Sequence, residues 1–308
     1  MRDIFNPSYA SRDRERAEAY RQRYAGARSY ASYREAIEDP DIDAVVVAVP
    51  PRFHLELTLE ALVAGKHVLV EKPAFPRLVD FEEVRSAAAR AQRVVMVGEN
   101  DHYKPLAVCL RQLLADGVIG DMVLAHFTTL AQKSKPADDW RNDESIACGD
   151  AFFEEGIHWL HIANSLGPVI VSAHGYCPPP STAGSDRRVK SMLASFQYDT
   201  GAAGALYYSR EVPSLLRGLR LSKLFGRDGI ITFESNGAFV FVRGRGLPEM
   251  LFPGFQDIRG YQAMYRDFLG SIHEGRQPEM NLEIAMADQR VMEQIYATAG
   301  SRGGSVRV

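Results

Sequence analysis

The sequence is short of the residues that mark several protein classes. Among 308 residues there are three cysteines, Cys109, Cys148 and Cys177, widely spaced and in no paired pattern. That argues against a disulfide framework and suits a reduced, cytoplasmic protein. No apolar run approaches the roughly 20 residues of a membrane span, and Met1 to Phe5 lacks the apolar segment of a secretory signal. Lys and Arg number 36 against 39 Asp and Glu, a net charge of -3. Neither nucleic acid nor an anionic membrane is therefore indicated as a partner. There is no low-complexity stretch and no internal repeat. What is present is an ordinary globular composition, 46% hydrophobic, in a chain long enough for two domains with cores of their own.

The chain is organised around residues 43–73. Ala44 to Val49 is an unbroken, mostly β-branched run, the pattern of a strand buried on both faces of a parallel sheet. Pro50-Pro51 stops it. His54 to Ala64 carries apolar residues at helical spacing, and Gly65 is a C-cap signal. His67 to Val70 is a second buried strand. Glu71-Lys72-Pro73 follows its carboxyl end, where ligands bind in open α/β sheets. Pro73 pushes Lys72 out of the α region, so this lysine sits on a stiff, extended corner. There it can hold a substrate hydroxyl or share its proton; a solvated loop lysine is the plain alternative.

Val47-Ala48-Val49-Pro50-Pro51, His54, and Ala64-Gly-Lys-His-Val-Leu-Val-Glu-Lys-Pro73 together resemble the Gfo/Idh/MocA oxidoreductase family. The resemblance implies a Rossmann-like parallel-sheet domain followed by an α+β domain with a large, mainly antiparallel sheet. It implies a nicotinamide cofactor and a sugar- or polyol-like alcohol as substrate. One piece of the family pattern is missing. The strand at 7–11 and the helix from Arg12 correspond to the family's second strand and helix. The first strand, a Gly-x-Gly-x-x-Gly turn and the first helix have no counterpart, and the nearest glycine is Gly26. The expectation is thus an incomplete nucleotide-binding domain over 1–120, explained best by a gene start placed too late. The second domain, for substrate and self-association, would run over 121–308. Where the family's strand would end in an acid for the ribose of NAD, this chain has Ser11-Arg12. A hydroxyl and a guanidinium suit the 2′-phosphate of NADP, although Ser11 can equally be a helix cap.

The second chemical stretch is Gly149 to His161. On a regular helix Glu154, His158 and His161 fall on one face at i, i+4 and i+7. The family has an Asp four residues before a catalytic His and another Asp three residues after it; here Glu154 and His161 occupy those places. By the resemblance His158 is the acid/base, Glu154 orients it and Lys72 polarises the substrate oxygen. Histidine suits the task because its ordinary pKa is near neutrality. Cofactor contacts are expected from Ser11, Arg12, Pro50, His54, Glu71, Lys72, Glu99, Trp140 and Arg141. Substrate contacts are expected from Lys72, Tyr103, His158 and His161. Glu-x-x-x-His-x-x-His is not a recognised zinc spacing, so no metal is expected.

From Asp121 onward, alternating strands with Asp-Gly and Asn-Gly turns predict one long antiparallel sheet backed by helices. Residues 178–186 read as an exposed loop, 261–274 and 281–299 as closing helices, and the tail from Gly300 as frayed. A sheet face left uncovered suggests a homo-oligomer. Two readings stay open beside the dehydrogenase. One is a cofactor-free relative that binds or regulates a partner. The other is a lyase or glycosidase using transient redox.

Overall fold

A computed structural model describes residues 5–133, 135–136, 138–179, 189–213 and 219–299. The expected loop at 178–186 lies, past residue 179, outside the described residues, as does the tail from 300.

The N-terminal half is a parallel sheet in two pieces. β1 (Tyr9–Ala10) pairs in parallel with β2 (Ser29–Tyr30) around α1 (Arg14–Arg23). α2 (Tyr33–Glu38) follows, capped by the Ser32 side chain, which accepts from the Glu35 N–H. β3 (Ala44–Val47), β4 (His67–Glu71) and β5 (Val95–Gly98) form the second piece, ordered β3-β4-β5 and all parallel. Their crossovers are α3 (His54–Val63) and α4 (Leu78–Ala91). In the Rossmann order the family's first strand lies between the places held here by β1 and β3. Among the described residues no strand pairs with either inner edge. The cost is visible at Val46, 42% exposed in a run that reads as fully buried.

α5 (Pro105–Ala115) leads into β6 (Met122–Leu130), the first strand of an eight-stranded sheet. α6 (Glu144–Ala147) and α7 (Ile157–Asn164) intervene before β7 (Ile170–Tyr176), β8 (Ser191–Tyr198) and β9 (Ala203–Ser209). β10 (Leu221–Gly226), β11 (Ile230–Glu234), β12 (Val240–Arg243) and β13 (Glu249–Leu251) complete it in the order β13-β12-β11-β10-β6-β9-β8-β7. All neighbours are antiparallel except β6 and β9, so the sheet is mixed rather than wholly antiparallel.

α8 (Tyr261–Glu274) and α9 (Leu282–Thr298) close the chain. They pack against both sheets. Met264, Phe268, Met280 and Met286 are packed into the parallel-sheet core with Leu69, Phe81 and Met96, while Val291 and Ile295 belong to the large-sheet core with Phe127 and Leu160. No helix among the described residues is long and apolar enough to cross a membrane.

Candidate active site

The carboxyl ends of β3, β4 and β5 converge, and each carries a site segment. After β3, Pro50 is extended and Pro51 to Phe53 make a short helical turn into α3. His54 is buried there. Its Nδ1 lies 3.0 Å and 2.9 Å from the carbonyls of Pro73 and Ala74, and its Nε2 lies 2.8 Å from the Val49 carbonyl. It ties the exit of β3 to the exit of β4. Burial lowers its pKa, against three carbonyls that raise it. His54 thus acts as a strut between the two strand exits. The Lys72–Pro73 peptide after β4 is cis. Glu71 is half-buried, and that burial pushes its carboxyl up. Lys72 Nζ donates to the Glu154 carbonyl at 2.9 Å.

After β5 comes Glu99, 2% exposed, and it holds the centre. Its Oε1 accepts from His158 Nδ1 at 2.6 Å and from the Asp101 N–H at 3.0 Å. Its Oε2 is buried with no partner. Burial pushes this carboxyl up, but His158, His161 and Lys72 outweigh it and hold it at about 2. Glu99 is thus ionised, and His158 Nδ1 is its donor. That leaves Nε2 to meet a substrate; the His158 side chain is 20% exposed. Donor atoms of Glu99, Asp101 and His158 lie within 4.8 Å of one another. Asp101 is paired with Lys104 at 2.7 Å, and Glu99 Oε1 already accepts from His158 Nδ1.

The regular-helix expectation for 154–161 fails locally. Phe152 to Gly156 form a π-helical turn, and α7 begins only at Ile157. Such turns re-aim side chains and recur at functional sites. Glu154, His158 and His161 consequently face three different partners. The Glu154 carboxylate, expected to orient His158, instead meets Lys135 Nζ at 2.5 Å, Arg141 Nε at 3.1 Å and Arg210 Nη1 at 3.5 Å. His161, expected at the substrate, is fully buried: Nδ1 is 2.7 Å from Asp288 Oδ2 and Nε2 is 3.0 Å from His102 Nδ1. Burial opposes its charge, but Asp288 prevails and its pKa is raised. Tyr103 is also committed elsewhere. Its hydroxyl donates to Asp267 at 2.7 Å and accepts from the Met280 N–H at 3.0 Å. Tyr103 and His161 are thus each tied to partners within the protein.

At the far edge, Ser11 Oγ accepts from the Asp13 N–H, and Asp13, not Ser11, caps α1. Exposed Arg12 lies over the Phe53 ring, 5.4 Å from its centroid, so the ends of β1 and β3 face one region. Arg141 stacks on Trp140 at 4.7 Å. A cavity of ≈ 820 Å³ bordered by Arg111, Gly120 and Arg227 lies apart from all these residues. The sequence did not single out Asp101, His102, Lys135, Arg210 or Asp288, and it did not pair Glu99 with His158. The one sequence expectation for Glu99 was a cofactor contact, implied by the family resemblance.

Residues 8–99 match a family model described as "Oxidoreductase family, NAD-binding Rossmann fold", and residues 108–231 match "GFO/IDH/MocA C-terminal domain". Levoglucosan dehydrogenase of Pseudarthrobacter phenanthrenivorans is 27% identical over 94% of this chain and 79% of its own length. D-Xylose 1-dehydrogenase (NADP(+)) of Hypocrea jecorina is 32% identical over 49% of this chain, a match that spans 41% of that protein. A solved levoglucosan dehydrogenase in complex with NADH and levoglucosan superposes with a TM-score of 0.83 at 20% identity, covering 96% of this chain and 88% of that one.

Proposed function

The chain belongs to the Gfo/Idh/MocA oxidoreductase family, and from that premise we propose that it interconverts a sugar- or polyol-like alcohol and its carbonyl with a nicotinamide cofactor, NADP in preference to NAD. The observation that carries this reading is His158 held through Nδ1 by a buried, ionised Glu99, next to Lys72 on the β4 corner. The residues present fit two parts of the cofactor. Lys72, Glu71 and Pro50 border the nicotinamide side, and Ser11 and Arg12 suit a ribose 2′-phosphate. The 308 residues contain no Gly-rich turn beside β1 for the pyrophosphate. When bound, the nicotinamide supplies a hydride acceptor or donor.

The chain's own groups handle the oxygen and its proton. Lys72 Nζ, fixed by the Glu154 carbonyl, holds the substrate oxygen in this reading. His158 Nε2 takes the hydroxyl proton during oxidation and returns it during reduction. Glu99 fixes the ring and stabilises the imidazolium that forms, the role of a buried carboxylate behind a base. Arg12 over Phe53 supports NADP because its guanidinium can pair with a phosphate dianion.

A panel of sugars and polyols, assayed at saturating NADP⁺ for reduced nicotinamide, tests the reading. At least one alcohol should drive reduction, and Lys72→Met should lower turnover and substrate affinity together. No alcohol-dependent reduction, or a Lys72→Met change confined to thermal stability, would count against it.

A further inference from the structure

Lys72 and His158 come from different elements, and one short turn links them. The Glu154 carbonyl accepts from Lys72 Nζ at 2.9 Å, and α7 with His158 starts where the π turn at 152–156 ends. A helical turn leaves its first N–H groups without partners within it. Asp150 supplies them. Its Oδ1 accepts from the Phe152 N–H at 2.9 Å and the Phe153 N–H at 3.0 Å, and its carbonyl accepts from the Glu154 N–H at 3.1 Å. The same Oδ1 accepts from the Tyr296 hydroxyl at 2.6 Å, which ties the turn to α9. Beside it, the Tyr208 hydroxyl donates to the Ala151 carbonyl at 2.7 Å, a second tie, to β9.

The turn has little room for another shape. A Cβ on Gly149 would strike the Phe153 ring, and one on Gly156 the Phe152 ring. Both rings are buried in the large-sheet core. Asp150 is itself buried. That burial pushes its carboxyl up to about 6, against the pull of Tyr296 and of the Phe153 and Phe152 N–H groups. Near neutrality it is ionised, so its hydrogen bonds are charge-assisted and roughly twice as strong as neutral ones. Its effect on the site runs through backbone: the carboxylate fixes the turn, and the turn presents the Glu154 carbonyl to Lys72.

We propose that Asp150 is a positioning residue, whose carboxylate locks the 150–156 turn and so holds the Glu154 carbonyl, and with it the Lys72 ammonium, in place against His158. What Lys72 and His158 then do to a substrate rests on the redox reading above; how they are placed does not. Acetylation of the full chain by an N-hydroxysuccinimide ester, read at Lys72 by mass spectrometry, tests the placement without turnover. In Asp150→Ala, Lys72 should label several-fold faster than in the unaltered chain. Asp150→Asn keeps an acceptor at Oδ1 and should stay near the unaltered rate. Lys66, whose Nζ is held by the Asp39 carbonyl at 2.8 Å, should not change in either variant and reports on the fold. Tyr296→Phe removes one of the three bonds to Oδ1 and should speed Lys72 labelling by a smaller factor; it gives the answer if Asp150→Ala does not fold. With the alcohol found active in the panel, kcat of Asp150→Ala should fall roughly tenfold or more, the worth of charge-assisted hydrogen bonds. NADPH affinity should be nearly unchanged, and Asp150→Asn should recover most of the lost kcat. Unchanged Lys72 labelling in the variants, or labelling raised equally at Lys66, would overturn the proposal. Faster Lys72 labelling in a chain that reduces no nicotinamide would remove the redox reading alone, and unaltered turnover by Asp150→Ala would remove this proposal alone.

Discussion

Three buried or half-buried histidines differ by what faces their ring nitrogens. His54 faces only carbonyls and serves as a tie between strands. His161 faces Asp288 and His102 and carries a raised pKa inside the core. His158 alone combines a buried carboxylate on one nitrogen with an accessible ring. His158 was legible as a candidate acid/base because Glu154 and His161, its partners in the family pattern, lie close to it in sequence. Its partner was not, because Glu99 is 59 residues away and meets it only through folding. The same holds for Asp288, 127 residues from His161. At the cofactor edge, Arg12→Ala should weaken NADP binding more than NAD binding, since only NADP carries the 2′-phosphate. Competition titrations with the two reduced cofactors would show it. Equal losses would make Arg12 a fold or pyrophosphate residue.

Elements were legible where one periodicity governs them. β3, β4, β5, α8 and most of the large sheet follow their apolar patterns. β10 did not announce itself, because its core-facing side includes Ser222. That fully buried hydroxyl accepts from the Thr128 N–H at 3.1 Å and bonds Ser235 Oγ at 3.0 Å. The π turn at 152–156 escaped for a related reason: no local sequence signal separates it from a regular helix. The split parallel sheet predicts unequal stability. β1 and β2 are two residues each and, among the described residues, pair only with each other, whereas β6 is paired along both edges. Native-state hydrogen exchange should show the amides of β1 and β2 opening well before those of β6 and β9. Equal protection across both regions would mean that contacts other than strand pairing hold the N-terminal segment.

At the scale of the whole molecule, α8 and α9 join the two cores, so the fold's stability depends on the buried groups between them. His102 is one: burial first, then His161 and Arg111, lower its pKa to about 3. An unfolded histidine binds its proton near 6.5. Between about 6.5 and about 3 the unfolded state therefore binds more protons, and stability falls as pH drops through that window. His161 works in the opposite sense, its raised pKa giving stability below the unfolded value that is lost as pH rises through the folded one. The His102 contribution to the urea midpoint should fall between pH 7 and pH 5 (about the upper half of its window), so the midpoint of His102→Asn should fall less, or rise more, over that range than that of the unaltered chain. An unchanged slope in the variant would place the acid sensitivity elsewhere.

The most direct test of the central claim is single-turnover nicotinamide reduction by His158→Ala beside the unaltered chain, at saturating cofactor and with the alcohol found active in the panel. The account predicts a rate lower by roughly 10²–10⁴-fold, the worth of a general acid/base, with cofactor affinity nearly unchanged. A rate within about a factor of two of the unaltered chain, far below that range, would contradict it.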